Sequence, residues 1–401
     1  MYFQFLIYLL IMFRKKIAIL GSTGSIGKTF IEIIKKDKKN FDIQLLSAHQ
    51  NYKQLINQAK ELGVKNLVIT NQKSFHKVKS DKKYKDINIY SNFKIFNKIF
   101  KKKIDYVMSS IIGIDGLEPT LNSIKFTKNI LIANKESLIC GWNLISSELK
   151  KNKTRFIPID SEHFSIWSLI DQNKNIKNIE KVYITASGGS FLNLPLKHFS
   201  KIQNDKALIH PNWKMGKKIT VDSSTMMNKV FEVIEAKNIF GLNYNQIEIL
   251  IHPNSYAHAI IKFYNGIIKV LLHETSMKIP IYNSIYINDY MNKITTDNLD
   301  LHKLNNLDLR IPEKKRYPIL KILNKLVNTH SLYETALVKI NDNLVKKFLE
   351  KKINYNQLVN LIIKFANKKE FLILRNKPAN NIEKIKKIMK LVDLKINALD
   401  I

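Results

Sequence analysis

Apolar positions in the first 140 residues recur in two alternating rhythms. Short, largely apolar runs appear at Lys16–Leu20, Ile43–Ala48, Asn66–Thr70, Tyr106–Ser109 and Asn129–Ala133. Runs of this kind suit strands covered on both faces. Between them the spacing changes to three and four, as over Lys28–Lys36, the period of a helix that buries one side. Strand alternating with helix predicts an α/β fold with a parallel sheet over 15–160. Beyond that the pattern changes. Val182–Ala186 reads as a strand, and Ile260–Phe263 and Ile267–His273 read as a hairpin turned at Asn265-Gly266. This predicts a central α+β domain over 161–290 with an antiparallel sheet. The stretch 188–217 has Gly, Pro and Trp but no regular period, and loops of that length often serve as lids. A linker is expected over 291–316. Helical spacing then returns in Leu320–Val327, Thr335–Leu349, Tyr355–Phe365 and Ile382–Val392, predicting a small C-terminal helical domain over 317–401.

The first strand runs into Gly21-Ser22-Thr23-Gly24-Ser25-Ile26-Gly27, and a helix follows. Strand, glycine loop and helix form the context of a Rossmann-like dinucleotide site. Glycine allows the tight turn and the approach of a pyrophosphate to the helix N-terminus. The second strand ends in Ser47-Ala48-His49-Gln50-Asn51, with no acid to hold a ribose 2′-hydroxyl. That favours NADP over NAD. Past the last strand of the sheet stand Asn134, Lys135, Glu136 and Ser137. They either face the ligand crevice or cap the next helix.

Composition adds limits. The 401 residues, 45% of them hydrophobic, can bury a sizeable core in two or three domains. The lone cysteine, Cys140, excludes an intrachain disulfide and fits a reducing, cytoplasmic setting. The net charge of +33 comes from Lys spread through every segment. It reads as compositional drift, and without a recognisable nucleic-acid motif no nucleic-acid partner is expected. Residues 1–14 form an N-terminal extension whose apolar part, Met1–Phe13, is too short to span a bilayer. Met12 is the expected working start, with a membrane anchor as the lesser alternative. No membrane partner is expected.

Candidate chemistry concentrates in the middle. Asp160-Ser161-Glu162-His163 presents two carboxylates at i and i+2. Asp222-Ser223-Ser224 leads through Asn228 and Lys229 to Glu232. Carboxylates suit a hard divalent cation, and hydroxyl, amide and ammonium donors suit a phosphate. Ser187-Gly188-Gly189 reads as an oxyanion nest or as a plain strand end. His210 and Trp213 lie in the expected lid. His258 fits a core residue as well as a catalyst, and Cys140 fits an apolar helix.

Together the segments Gly21–Gly27, Ala133–Ser137, Pro158–His163, Thr185–Gly189, His210–Gly216 and Val221–Lys229 closely resemble the 1-deoxy-D-xylulose 5-phosphate reductoisomerase family, in order and in approximate spacing. The resemblance covers residues from about 15 to 395. It implies rearrangement of 1-deoxy-D-xylulose 5-phosphate and its reduction by NADPH to 2-C-methyl-D-erythritol 4-phosphate, in the non-mevalonate route to isoprenoids. By the resemblance, Asp160, Glu162 and Glu232 would hold Mg²⁺ or Mn²⁺. Ser187, Ser223, Asn228 and Lys229 would grip the phosphate, while Lys135, Ser161, Glu162, His210 and Glu232 would meet the reacting end under Trp213. Lys135, Glu162, His210 and Glu232 would carry the catalysis. Gly21, Ser22, Thr23, Gly24, Ser25 and Ile26 would cradle the cofactor, joined by Gln50, Asn51, Asn134, Lys135, Glu136 and Gly216. A homodimer formed on the antiparallel sheet is also implied. The chain departs from the family at Gln50, where a lysine is common, at Thr275-Ser276-Met277-Lys278, and at His273. The competing readings are a semialdehyde-type NADP dehydrogenase and a basic nucleic-acid-binding protein without catalysis.

Overall fold

The computed structural model describes residues 14–170, 176–287 and 294–399. The expectations for Met1–Phe13 lie outside the described residues. The chain divides into two compact units. The first comprises residues up to Ser137, Leu144–Asp160 and Met277–Ile294, and the second comprises Leu138–Asn143, Ser161–Ser276 and Thr295–Ile401.

The first unit is built on a seven-stranded sheet: β1 (Lys15–Leu20), β2 (Phe41–Ala48), β3 (Asn66–Ile69), β4 (Asn88–Tyr90), β5 (Ile104–Ser109), β6 (Thr127–Ile132) and β7 (Arg155–Pro158). Their order is β4-β3-β2-β1-β5-β6-β7, and every pair is parallel. The order reverses direction at β1, so a crevice opens beyond its carboxyl end, between β2 and β5. Ile17, Ala18, Ile19 and Leu20 are wholly buried, as a central strand between two helical layers requires. The helix α1 (Ser25–Lys36) follows β1, and α2 (Tyr52–Leu62) follows β2. α1 buries Phe30, Ile31, Ile33 and Ile34 and turns Lys35 and Lys36 outward. The short edge strand β4 lacks a periodic signal, being only three residues long.

A helix at Lys278–Ile285, within the 161–290 stretch read above as the central domain, groups with this first unit. Lys15 Nζ donates to Ile285 O at 3.2 Å, and Tyr286 Oη donates to Asp37 Oδ2 at 2.8 Å. The Tyr286 and Phe41 rings meet edge to face at 5.9 Å.

The second unit holds a four-stranded sheet of order β11-β10-β8-β9, from β8 (Ile179–Ala186), β9 (Ile247–Ile251), β10 (Ala257–Phe263) and β11 (Ile268–Leu272). The expected hairpin is present as the antiparallel pair β10–β11, and β10 also runs antiparallel to β8. The sheet is mixed rather than antiparallel throughout, because β9 pairs with β8 in parallel. Two helices, α3 (Lys217–Thr225) and α4 (Met227–Phe240), supply the crossover that such a pair needs. They are separated by Met226 at φ +66°, a left-handed conformation that is unusual for a residue with a side chain.

The C-terminal helices α5 (Leu332–Leu349), α6 (Tyr355–Ala366) and α7 (Ile382–Asn397) fall in this same unit. Pro318–Lys325, expected as α-helix, is a 3₁₀ helix that buries Ile319 and Ile322, a spacing of three. The stretch 188–217 contains two 3₁₀ turns, Leu196–Lys201 and Asn204–Leu208. Arg316 Nη1 ties its start by donating to Phe191 O at 2.9 Å and to Leu194 O at 2.6 Å.

Candidate active site

In the first unit the glycine loop is shaped by close backbone contacts. Gly21 has φ +83°, and a Cβ on it would fall 2.8 Å from Ser110 O. A Cβ on Gly27 would fall 2.4 Å from Gly21 O, so only glycine lets α1 pack this tightly on the loop. Ser47 on β2 fixes the loop from one side: its Oγ accepts from Gly21 N at 2.9 Å and its carbonyl from Ser22 N at 2.9 Å. The Ser22 hydroxyl is turned inward, donating to Gln58 Oε1 at 2.8 Å, while Gln58 Nε2 donates back to Ser22 O at 3.0 Å. The Ser22 side chain is therefore engaged inside the protein. Asn51, expected at the cofactor, caps α2 by accepting from Gln54 N at 3.3 Å. Gln50 is exposed beside it, and His49 bonds Thr70 Oγ1 at 2.9 Å.

At the end of β6, Asn134 caps the helix Lys135–Asn152 through Ser137 N at 2.5 Å. Its Nδ2 also donates to Ile111 O and to Gly113 O, bracing the loop after β5. Asn134 thus serves as the N-cap of this helix. Lys135 Nζ pairs with Asp160 Oδ2 at 3.0 Å, both side chains largely buried. Glu136 lies in the first turn of the same helix.

In the second unit two acids converge on one lysine. Glu162, in the helix Ser161–Leu169, and Glu232, on α4, lie 2.6 and 2.5 Å from Lys229 Nζ. The third donor of that ammonium goes to Thr185 O at 2.7 Å. Burial alone would lower the lysine's pKa, but the two carboxylates raise it above the ordinary range. Lys229, expected on the phosphate, thus bridges the acids. Ser161 Oγ donates to Glu162 Oε2 at 2.5 Å, and Asn228 Nδ2 donates to Glu232 Oε1. His163, wholly buried, bonds Glu232 O through Nε2 at 2.9 Å.

The Ser-Gly-Gly turn after β8 has positive φ at both glycines, +85° at Gly188 and +68° at Gly189. His210 Nδ1 accepts from Asn212 N at 3.1 Å and Trp213 N at 2.9 Å. A nitrogen that accepts carries no proton, so the proton is on Nε2, which donates to Ser187 Oγ at 3.0 Å. Burial and then the nearby Lys229 charge push the His210 pKa down to about 4, consistent with a neutral ring. Ser187 Oγ also accepts from Gly189 N at 3.1 Å, which leaves its own proton for a ligand oxygen. Trp213 meets the His258 ring edge to face at 6.1 Å. His258 itself is core: it is buried, stacked on His273 at 3.6 Å, and bonded to His273 O. Gly216 heads α3.

Residues 17–141 match the profile of 1-deoxy-D-xylulose 5-phosphate reductoisomerase, 156–240 that of its C-terminal domain, and 272–395 that of the DXP reductoisomerase C-terminal domain. The enzyme of that name from Pelagibacter ubique (strain HTCC1062) is 55% identical over 389 residues, 96% of this chain and 100% of that one. The chain belongs to the 1-deoxy-D-xylulose 5-phosphate reductoisomerase family. Its counterpart from Wolbachia pipientis wMel is 37% identical over 87% of this chain and 89% of its own. A crystal structure of DOX-P reductoisomerase in complex with NADPH, fosmidomycin and magnesium superposes with a TM-score of 0.85 at 30% identity, covering 96% of this chain and 98% of that one. The Zymomonas mobilis enzyme in complex with NADPH gives 0.84 at 26% identity, with the same coverage.

Three residues that shape this region have no role assigned from the sequence. Gln58 braces Ser22, His163 holds the α4 backbone at Glu232, and Thr185 O takes a proton of Lys229. Gln58 had a signal, as a polar residue among the buried Leu55, Ala59 and Leu62 of α2, and His163 and Thr185 stand within the motifs Pro158–His163 and Thr185–Gly189.

Proposed function

We propose that Asp160, Glu162 and Glu232 hold one divalent cation, Mg²⁺ or Mn²⁺, and that Ser187, Ser223, Asn228 and Lys229 receive the substrate's phosphate. As a member of its family the protein is an NADPH- and divalent-metal-dependent oxidoreductase. It converts 1-deoxy-D-xylulose 5-phosphate to 2-C-methyl-D-erythritol 4-phosphate, a step toward isoprenoids. Neither competing reading is favoured: Cys140, the nucleophile a semialdehyde dehydrogenase would want, is wholly buried.

The observation that carries the residue assignment is the convergence of Glu162 and Glu232 on a single cation, Lys229. Two buried carboxylates this close demand positive charge between them. Asp160 stands two positions before Glu162 in the chain. An all-oxygen, acidic donor set fits a hard divalent ion. Bound there, it would polarise the substrate's carbonyl and hydroxyl oxygens as carbon–carbon bonding rearranges.

The chain's own groups supply the rest. Ser187 Oγ, with both acceptor sites filled by protein donors, offers its proton to a phosphate oxygen. His210 stays neutral and acts as a hydrogen-bond donor through Nε2. Its Nδ1 holds the Trp213 backbone, so one ring joins the phosphate grip to the residue proposed to cover the substrate. Lys135, paired with Asp160, contacts substrate oxygens together with Ser161. Gly21–Ile26 would hold NADPH, joined by Gln50, Asn51, Asn134, Lys135, Glu136 and Gly216, and the backbone N–H groups at the start of α1 would suit its pyrophosphate.

We further infer a homodimer. β11 is an edge strand with Ile268 60% and Val270 37% exposed, and Ile267 and Tyr264 stand open beside it. An apolar open edge invites pairing with a second copy. Among the described residues no helix is long and apolar enough to cross a membrane, and the single cysteine suits a cytoplasmic location.

The deciding experiment follows NADPH absorbance with 1-deoxy-D-xylulose 5-phosphate, with and without Mg²⁺, for the natural chain and for Glu232→Gln. The variant should lose turnover by roughly a thousandfold while its NADPH dissociation constant stays within about twofold. Unimpaired turnover would remove Glu232 from the metal site.

A further inference from the structure

We propose that Asn341, acting through Asp222, is a positioning residue for the phosphate grip, an inference that rests on the reading of Ser223 as a phosphate donor. Asp222 precedes Ser223 on α3 and is 2% exposed. Its Oδ1 accepts from Asn341 Nδ2 at 2.7 Å, and its Oδ2 faces Lys218 Nζ at 3.1 Å, one turn earlier on the same helix. Lys218 also lies 3.0 Å from Asp342 Oδ1. Asn341 and Asp342 are neighbours on α5, so this helix reaches the phosphate helix through the buried Asn341–Asp222 bond and the half-buried Lys218–Asp342 pair.

The choice of asparagine is informative. The side chain is fully buried, and among the described residues its Oδ1 has no hydrogen-bond partner. It therefore sits in the interior for a single bond, the one to Asp222. An apolar side chain of similar size would fill the space without desolvating an amide. What the amide adds is direction, since a buried polar bond with one partner selects one rotamer and one helix register.

The rest of this turn is held as tightly. Tyr355 Oη, from α6, donates to Ser224 O at 2.7 Å. On the other side Gly189 approaches so closely that a Cβ there would fall 2.7 Å from Ser223 O and 2.8 Å from Ser224 Cα. The helix then stops at the left-handed Met226. Ser223 is thus fixed at its own carbonyl, at the next residue and, through Asp222 and Asn341, at the preceding one. Among the described residues its hydroxyl has no protein partner, which leaves it for a ligand.

The test uses the full chain with NADPH and Mg²⁺, and inorganic phosphate as the competing probe. Asn341→Leu should raise both the substrate KM and the phosphate inhibition constant roughly tenfold, the equivalent of one oriented hydrogen bond. kcat should fall less, and NADPH affinity should not change. The reciprocal pair Asp222→Asn with Asn341→Asp rebuilds the bond with donor and acceptor exchanged, and should recover most of the phosphate affinity. Ser223→Ala is the separate arm. If it leaves phosphate inhibition unchanged, the phosphate reading fails and this inference with it. If it weakens inhibition while Asn341→Leu does not, the positioning role alone falls. Equal losses in phosphate and NADPH affinity would mark Asn341 as merely structural and overturn the proposal. Should Asn341→Leu not fold, a reciprocal pair that melts cooperatively yet binds phosphate no better than Ser223→Ala would overturn it as well.

Discussion

Adding one methyl group to Gly27 tests the geometry of the cofactor loop most directly. The new Cβ would stand 2.4 Å from Gly21 O, 2.7 Å from Ser22 Cα and 2.9 Å from Ser22 C. Real Cβ contacts essentially never fall below 3.0 Å, so loop and helix must part by at least the 0.6 Å that separates 3.0 from 2.4. All three obstacles are backbone, and no side-chain rotation relieves them. Overpacking of this kind costs about 1–3 kcal/mol. Alanine inside a helix returns about 1 kcal/mol over glycine, which leaves a net loss of stability of about 0–2 kcal/mol. The effect on NADPH should be larger, because the displaced segment is the one the pyrophosphate approaches. A tenfold weaker dissociation constant corresponds to about 1.4 kcal/mol and is the minimum expected for Gly27→Ala. The natural chain provides the reference. Fluorescence titration with NADPH and thermal melting of Gly27→Ala beside it decide the matter. Gly27→Ala binding NADPH as tightly as the natural chain would refute the close-packing argument.

Two further outcomes are expected. Gln50→Lys, at an exposed site past β2, should tighten NADPH by roughly threefold to tenfold and leave NADH unchanged, because only the former carries a 2′-phosphate. Equal effects on the two cofactors would place Gln50 away from that group. Burial raises the Glu334 pKa to about 7 against roughly 4.3 in an unfolded chain. The folded state therefore binds more protons between those values, and the stability this group contributes is whole below the lower one and lost as pH rises through the upper. Glu334→Gln should melt higher than the natural chain at pH 8 and by a smaller margin at pH 5, and the reverse trend would sink the assignment.

Much of the fold was legible because the first unit signals itself. Ile17–Leu20 is wholly apolar and Leu45–Ala48 nearly so, because both faces are covered. The parallel strand β9 was not, since its alternating burial gives no sign of which neighbour it joins. The helix Lys278–Ile285 has ordinary periodicity, and only its contacts with Lys15, Asp37 and Phe41 reveal its unit. In the site, residue types were readable and partners were not. Glu162 and Lys229 lie 67 positions apart, and nothing local says that the lysine meets an acid before it meets a phosphate. Asn51 and Asn134 illustrate the same limit, for one amide serves equally at a helix start or a ligand.

The late return of Lys278–Ile285 to the first sheet has a practical outcome for anyone wishing to dissect the molecule. A gene fragment ending after Asp160 would encode all seven parallel strands yet omit Tyr286 and the carbonyl that secures Lys15. Such a truncate would expose part of Phe41 to water and leave Asp37 without its phenolic partner. The nucleotide half is thus not separable by a single cut, and recombinant halves would have to be spliced by a designed linker, with the intervening stretch removed, before either could be studied alone.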